Sequence, residues 1–446
     1  RNRLENILNR NHELYRLAVL IDWALFEQEF GALYSENGRP GIPIRMMVGL
    51  SYLSHAFNTS DEETVRRWLE NPYHQYFCGE EYFCHELPID PSSLSRWRGR
   101  IGEQGSELIL QVTVQAGLAS GAIKASSLER ISIDTTVQEK AIAFPTDARL
   151  FNRSRERLVR LAKRHGVQLR QSYSRLGARA LMWVGRYFHA RQVRRARREI
   201  RRLKTFLGRV YRDIIRKIKG NAELQAVFSS ELGLAERLLT QQQKDKNKLY
   251  SLHAPEVECI GKGKAHKKYE FGVKVSVAVS NRDNFVVGML AEPGNPYDGH
   301  TLGRAIGQVE RITGRALERT FVDRGYRGHG LKRPQVLISG SKRGLTAQMK
   351  KELRRRSAIE PVIGHMKSDG KLGRNHLLGA LGDKINALLC GAGHNIRIIL
   401  RKLRELLFFL CAGTLLRLCT CLGWLRWHVN CTDCLQTDVG GRQTAK

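Results

Sequence analysis

The sequence is short of acidic residues, and this shortage narrows the partners that the protein can have. Its 446 residues include 75 Lys and Arg but only 43 Asp and Glu, which gives a formal net charge of +32 at pH 7. A basic surplus of this size favours a polyanionic partner, because each phosphate that a basic side chain neutralises releases condensed counterions. Nucleic acid is therefore the natural candidate.

Signals for export, disulfides and membrane insertion are also missing. Nine cysteines at irregular spacings do not form a disulfide framework, so a reducing cytosol fits better. The N-terminus lacks an initiator Met and an apolar signal region. The apolar tail, residues 403–446, is interrupted by Arg417 and Arg426, whereas a membrane span needs about twenty mainly apolar residues. In the same tail Cys431 and Cys434 have zinc-ligand spacing but lack a second pair. We expect a cytoplasmic, nucleoid-associated protein without a membrane partner.

The first 125 residues have a helical pattern and form the first predicted domain. Apolar residues recur at three- and four-residue spacing, for example in Leu14–Phe30. Asp90–Ser93 would cap a further helix, which carries Arg96 and Arg98. Short capped helices in series suggest a helix-turn-helix-like domain in which both arginines contact DNA. An ordinary small helical domain is the alternative.

Residues 148–250 form a second helical stretch, which carries most of the positive charge. Between Phe151 and Gly220 there are 23 Lys and Arg against three acidic residues. A charge run is often only a solvated helical face, but so few acids leave these cations without partners, and phosphate contact is the better interpretation. The densest run predicts six DNA-binding arginines: Arg194, Arg195, Arg197, Arg198, Arg201 and Arg202.

Strand signals flank this helical stretch. Arg130–Val137 alternates β-branched and polar residues and predicts a strand with Asp134 near its end. Tyr269–Val279 and Asn284–Leu290 predict a hairpin. A helix follows, capped near Asp298.

The remaining core elements lead to two further acidic residues. Arg319–Asp323 predicts a strand that ends on a carboxylate, and Val336–Ser339 is another strand candidate. Glu360 opens a later helix, with 36 residues between it and Asp323. Pro361 fits the first turn of that helix, where a missing N–H is tolerated.

Three carboxylates in such positions have a specific chemical use. If the strands that carry Asp134 and Asp323 lie side by side, their ends meet, and Glu360 can join them. Three such side chains could hold two divalent ions about 4 Å apart, which activate the attacking oxygen and stabilise the leaving oxygen of a phosphodiester. Any one Asp at a strand end is more often a turn residue or a helix cap.

The motifs together resemble the DDE transposases of bacterial insertion sequences, of the insertion-sequence-five type. The matching segments are Ile133–Thr136, Val322–Tyr326 and Arg356–Lys367. Arg39–Leu50 similarly resembles the InsH-type N-terminal domain of that group. The joint match covers nearly the whole chain and is more specific than any one motif.

This resemblance implies an α/β fold with a ribonuclease-H-like catalytic domain over residues 126–402, interrupted by the basic helices at 148–250. It further implies Mg2+ (or Mn2+), double-stranded DNA as substrate and target, and a homo-oligomer in the DNA complex. Asp134, Asp323 and Glu360 take the catalytic and metal-binding roles, and Arg356 and Lys367 match basic DNA-contacting positions. Where the family often has Tyr, three residues before the arginine, this chain has Leu353.

Two other functions fit parts of the same pattern. A catalytically decayed product of a mobile element would keep its basic helices and bind DNA without cutting it. A related nuclease with the same core would cut DNA without joining its ends to a target. Metal-dependent nicking separates the first from a transposase, and end-joined products separate the second.

Overall fold

The computed structural model describes residues 2–34, 41–261, 267–341 and 344–405. Within these ranges the chain has a mixed α/β fold, and it divides into two compact units. The first unit comprises residues 1–94, 112–125 and 393–446, and the second comprises residues 95–111 and 126–392. The tail after 405, with Cys431 and Cys434, lies outside the described residues.

The described part of the chain contains fifteen α-helices. They are α1 Leu4–Ile7, α2 Glu13–Leu20, α3 Trp23–Gly31, α4 Ile44–Ala56, α5 Asp61–Glu70, α6 Pro72–Phe77, α7 Ser92–Ala119, α8 Asp147–Arg164, α9 Ser174–His189, α10 Val193–Ile218, α11 Ala222–Thr240, α12 Asp298–Thr313, α13 Ala347–Arg355, α14 Ile359–Ser368 and α15, residues 379–405. No described helix is both long enough and apolar enough to cross a membrane.

The first unit is helical, as its apolar periodicity predicts. Its helices bury Leu17, Phe26, Leu50, Trp68 and Phe77, each at most 1% exposed. The predicted helix over 14–30 is divided into α2 and α3, because the side chain of Asp22 caps a new helix by accepting a hydrogen bond from the backbone N–H of Leu25.

The helices α8 to α11 confirm the predicted helical stretch and share a hydrophobic core of their own. Leu158, Leu207, Ile214, Phe228 and Leu238 are fully buried within it. The helices contribute apolar stripes to this core and turn most of their basic residues outward, the usual arrangement for an amphipathic helix. Arg155 of α8 is an exception, since it is only 1% exposed.

The second unit also contains a six-stranded sheet. Its strands are β1 Arg130–Glu139, β2 Glu258–Gly261, β3 Tyr269–Ser280, β4 Val286–Glu292, β5 Arg319–Val322 and β6 Gln335–Ile338. The short strand β2 was not predicted. The order across the sheet is β4, β3, β1, β5, β6, and β2 pairs with the first residues of β3.

Strand direction changes at β1, which is the central strand. β3 runs antiparallel to β1, and β4 antiparallel to β3, so the predicted hairpin is confirmed. β5 and β6 run parallel to β1 and to each other. Parallel neighbours place their carboxyl ends at the same edge of the sheet, and Asp323 follows the last residue of β5 at that edge.

The prediction that Asp134 lies near the end of its strand is wrong, because β1 continues to Glu139. Its extension pairs with β3 over the full length, whereas the pairing with β5 stops at Ser132 opposite Phe321. Asp134 therefore lies in the middle of β1 but just beyond the end of the neighbouring β5.

Candidate active site

Asp134 and Asp323 occupy equivalent positions on adjacent parallel strands. Ser132 of β1 is the partner of Phe321 of β5, and two residues further along each strand lead to Asp134 and Asp323. Neighbouring strands lie about 4.8 Å apart, so this register brings the two residues side by side. The predicted meeting of these two carboxylates is therefore supported by the pairing of β1 with β5.

The carboxylate of Asp134 is bound by backbone and by arginine. Its Oδ1 accepts a hydrogen bond of 2.7 Å from the N–H of Thr135. Its Oδ2 lies 3.4 Å from Nη1 of Arg356, whose side chain is only 12% exposed. The carboxylate of Asp323 accepts a hydrogen bond of 2.9 Å from the N–H of Gly325, which fixes it at the start of the turn after β5.

Glu360 lies in the first turn of α14 and reaches the same arginine. Its Oε1 is 3.4 Å from Nη2 of Arg356, so the guanidinium bridges Asp134 and Glu360. The Glu360 side chain is 65% exposed. The buried face of α14 is formed by Ile359, Val362 and Met366, which anchor the helix and leave Glu360 at its solvent side.

The three predicted residues have side chains of the type that suits Mg2+, but the described structure does not gather them into a metal site. Within the described residues, no three His, Cys, Asp or Glu side chains lie close enough together to hold a metal ion. Asp134, Asp323 and Glu360 are nevertheless all-oxygen ligands of the kind that Mg2+ and Mn2+ prefer. The Arg356 guanidinium now lies between two of them, where it supplies a positive charge.

Sequence reasoning missed one carboxylate at this site. The helix predicted to be capped near Asp298 is confirmed as α12, with Tyr297 as its N-cap and Asp298 as its first residue, but Asp298 was not predicted as part of the site. The Oδ1 atom of Asp298 accepts hydrogen bonds from Thr135 Oγ1 at 3.1 Å and from Lys274 Nζ at 3.0 Å. No local pattern in the sequence indicates that Asp298 belongs to the site, because its partners Thr135 and Lys274 lie on other elements of the chain.

Tyr326, in the turn after Asp323, is fully buried beneath these carboxylates. Its hydroxyl has no hydrogen-bond partner among the described residues. Burial raises the pKa of Tyr326 well above its ordinary value, and the negative charges of Asp134, Asp298 and Asp323 raise it further. The phenol therefore stays protonated and keeps its O–H as a hydrogen-bond donor.

The other residue of α14 with a predicted role is Lys367, which was predicted to contact DNA. Lys367 is half-buried near the end of α14. Gly364 is exposed, and a Cβ atom placed on it would meet nothing within 4 Å. The surface of α14 beside Gly364 is therefore open.

The six predicted arginines of α10 all lie on its exposed face. Arg194, Arg197, Arg198 and Arg201 form no ion pair within the described part of the chain. Arg202 forms a two-oxygen contact with Glu199, with distances of 2.9 and 3.1 Å. Most of this cationic face is therefore available to phosphates.

The two predicted arginines of α7 differ in exposure. Arg96 is exposed. Arg98 is only 5% exposed and donates a hydrogen bond of 3.2 Å to Ser95 Oγ. Phosphate contact needs an accessible guanidinium, so the prediction for Arg98 does not fit the described conformation.

Comparison with known proteins agrees with this geometry. Residues 2–100 match the family described as Transposase domain (DUF772), and residues 238–395 match the family described as Transposase DDE domain. The chain belongs to the DDE transposases of insertion sequences. The two family matches thus identify this chain as a DNA transposase.

This transposase is also similar to a bacterial protein, and its DDE family match begins at residue 238. An uncharacterized protein of Rhizobium meliloti, ORF8 in the nfe locus, is 54% identical over 192 residues, which cover 43% of this chain and 93% of that protein. No solved structure matches this transposase. The DDE match includes Asp323 and Glu360 but starts after Asp134. In the chain, helices α8 to α11 separate Asp134 from the other two residues.

Proposed function

We propose that this transposase binds the ends of its element, hydrolyses phosphodiester bonds there and joins the 3′-OH ends to target DNA. The observation that carries the proposal is the register of β1 and β5, which makes Asp134 and Asp323 neighbours at one edge of the sheet. The order β4, β3, β1, β5, β6 and the change of direction at β1 further support a ribonuclease-H-like catalytic core.

Asp134, Asp323 and Glu360 are the proposed ligands of Mg2+ or Mn2+. Such ions, when bound, activate an attacking oxygen and stabilise the leaving oxygen of a phosphodiester. Asp134 and Asp323 are fixed by the sheet and by backbone hydrogen bonds. Glu360 is exposed on α14, so its side chain can approach the other two by a change of rotamer.

Arg356 has two proposed positions. It lies between Asp134 and Glu360 in the described conformation, where it neutralises their charge. Once these carboxylates hold cations, the guanidinium is repelled from them and is free to bind a phosphate of the DNA, the role proposed for Arg356 and Lys367. The arginine thus changes partner from carboxylate to phosphate.

The DNA-binding surface is proposed to be the exposed face of α10. Its arginines are held on a helix that packs through Leu203, Phe206, Leu207 and Val210, so the cations are presented by a rigid element. Arg96, which is exposed on α7, is proposed to contact DNA as well. We propose further that the active complex is a homo-oligomer on two element ends, formed in the cytoplasm at the nucleoid.

The decisive experiment is cleavage of a labelled duplex that carries the end of the element, with Mg2+ or with EDTA. We expect nicking at the element boundary with Mg2+ only, followed by joining of the 3′ ends to a second duplex. Glu360→Ala should abolish both reactions. Glu223→Ala is a matched control, because Glu223 is also an exposed glutamate in the first helical turn, in α11.

The other outcomes identify the alternatives. Binding without nicking by the wild-type chain would show a decayed element product. Nicking without end-joined products would show a nuclease that lacks strand transfer. Nicking that survives Glu360→Ala would contradict the assignment of Glu360.

A further inference from the structure

The carboxylate of Asp298 faces the site with one oxygen that no described group binds. Oδ1 of Asp298 accepts both of the hydrogen bonds that reach this side chain, from Thr135 Oγ1 and from Lys274 Nζ. Oδ2 accepts none within the described residues. Helix α12 begins at Asp298, so the backbone fixes the position of the carboxylate at the end of the sheet.

The unbound oxygen of Asp298 lies on the side of Asp323. A Cβ atom built on Gly325 would lie 3.3 Å from Oδ2 of Asp298 and 3.0 Å from Oδ1 of Asp323. Both carboxylates therefore face the same glycine, and a side chain at position 325 would crowd them. Two carboxylates that both approach one point this closely repel each other unless a cation lies nearby.

Lys274 supplies only part of the positive charge that these carboxylates need. Its ammonium group is 11% exposed and also donates to the carbonyl oxygen of Pro296 at 2.7 Å. It contacts Asp298 through Oδ1, on the oxygen that does not face Asp323. Lys274 is the one described cation that pairs with either carboxylate, so one positive charge faces two negative ones.

A second and independent feature also indicates a ligand at this point. The hydroxyl of Tyr326 is completely buried and has no described hydrogen-bond partner. A buried hydroxyl without a partner is costly, so such groups ordinarily bind protein or ordered water. The acidic residues that act on Tyr326 most strongly are Asp134, Asp298 and Asp323. A hydrated cation between them would bring water to the phenol.

We infer that Asp298 is a fourth metal-binding carboxylate of this transposase, which pairs with Asp323 to hold a divalent cation. The inference rests on the proposed function, because it adds a ligand to the site formed by Asp134, Asp323 and Glu360. It also gives Gly325 a role, since any side chain at that position would fill the space between the two carboxylates.

The test counts bound Mn2+ on the full chain in the absence of DNA. Free Mn2+ gives an electron paramagnetic resonance signal that disappears on binding, so a titration yields both stoichiometry and affinity. We expect wild type to bind two Mn2+ ions and Asp298→Asn to weaken one of them by at least about tenfold. Asp147→Asn is the matched control, since Asp147 is also an aspartate in the first turn of a helix, α8.

A second variant separates metal binding from a purely structural ion pair. Lys274→Met removes the partner of Asp298 but leaves the carboxylate. If Asp298 binds a cation, this variant should bind Mn2+ as tightly as wild type or more tightly, because a competing charge is gone. If Asp298 only holds Lys274, both variants should lose Mn2+ equally. Melting of each variant in EDTA checks that it folds.

The inference is overturned if wild type binds no Mn2+, if Asp298→Asn binds Mn2+ like Asp147→Asn, or if Lys274→Met loses as much as Asp298→Asn. Its failure is distinguishable from failure of the proposed function. A chain that binds Mn2+ through Asp298 but does not nick DNA refutes only the function. A chain that nicks DNA while Asp298→Asn binds Mn2+ normally refutes only the role of Asp298.

Discussion

The arginines of α10 and Arg356 beside α14 carry the same charge in opposite surroundings. Arg194, Arg197, Arg198 and Arg201 are exposed and form no ion pair within the described residues. Arg356 is 12% exposed and lies between two carboxylates. The difference teaches that a basic residue indicates DNA only where acidic neighbours are absent. Next to a cluster of acids, it forms ion pairs with them instead, as Arg356 does with Asp134 and Glu360.

The two regions also differ in how they are stabilised. Helices α8 to α11 share their own core around residues such as Leu207 and Phe228, so the cationic surface depends on local packing. The carboxylates depend on the sheet, through the pairing of β1 with β5. DNA binding and phosphodiester chemistry should therefore be separable by mutation.

The largest expected effect comes from removing a carboxylate at the sheet edge. Asp323→Ala should lower the rate of cleavage by on the order of 10³-fold or more, as expected when one member of a group that acts together is lost. Its affinity for the duplex should stay within about twofold of wild type, because the α10 surface is unchanged. Single-turnover cleavage and gel-shift titration on the same substrate measure both quantities. A parallel loss of binding would show that the two regions are not separable.

The converse variant removes charge from α10. Replacing Arg194, Arg198 and Arg201 with Gln should weaken DNA binding by about 10²-fold and lower the salt slope of log K by about 2.7, if each contacts one phosphate. Cleavage at saturating protein should be unaffected. Gel shifts over a range of salt concentrations measure the slope.

A control with the same loss of charge uses arginines that already have acidic partners. Arg3, Arg66 and Arg67 are each ion-paired with a glutamate, Arg3 with Glu5 and the other two with Glu63. Their replacement with Gln should change the affinity and the salt slope much less. Equal losses in the two triple variants would mean that total charge, and not the α10 face, determines binding.

Much of the fold could be predicted because its signals are local. The alternating residues of β1, β3 and β5 and the apolar stripes of α8 to α11 depend only on neighbours in sequence. The short strand β2 was missed because four residues, Glu258–Gly261, give too little alternation to detect. The extra length of β1 was missed because it depends on pairing with β3, which lies more than 120 residues further along.

The candidate site was predicted less completely than the fold. Asp323 directly after β5 and Glu360 at the start of α14 follow local signals, so their positions could be inferred, whereas Asp134 lies in the middle of its strand and not near its end. The metal-binding role of all three stays a prediction. Asp298 could not be placed in the site, because Lys274 and Thr135 meet it only through the tertiary fold. Burial of Arg98 is similarly a matter of packing, since its sequence context is like that of Arg96.

The smallest expected effect concerns Arg356 itself and tests the contrast directly. Arg356→Met should bind Mn2+ about tenfold more tightly than wild type in the absence of DNA. The reason is that the guanidinium competes with the cation for Asp134 and Glu360. The loss of an ion pair of about 1.4 kcal/mol corresponds to a factor of ten in affinity. The matched control is Arg355→Met. Arg355 donates to the backbone oxygens of Asn281 and Arg282 and touches neither carboxylate.

The control makes the Mn2+ titration decisive. Both substitutions remove one positive charge from adjacent positions, so a general electrostatic effect would strengthen Mn2+ binding equally in the two variants. Tighter binding in Arg356→Met alone would show that this arginine occupies the place of a cation. Unchanged or weaker binding in Arg356→Met would mean instead that the guanidinium supports the carboxylates, and the contrast with the arginines of α10 would then be one of exposure only.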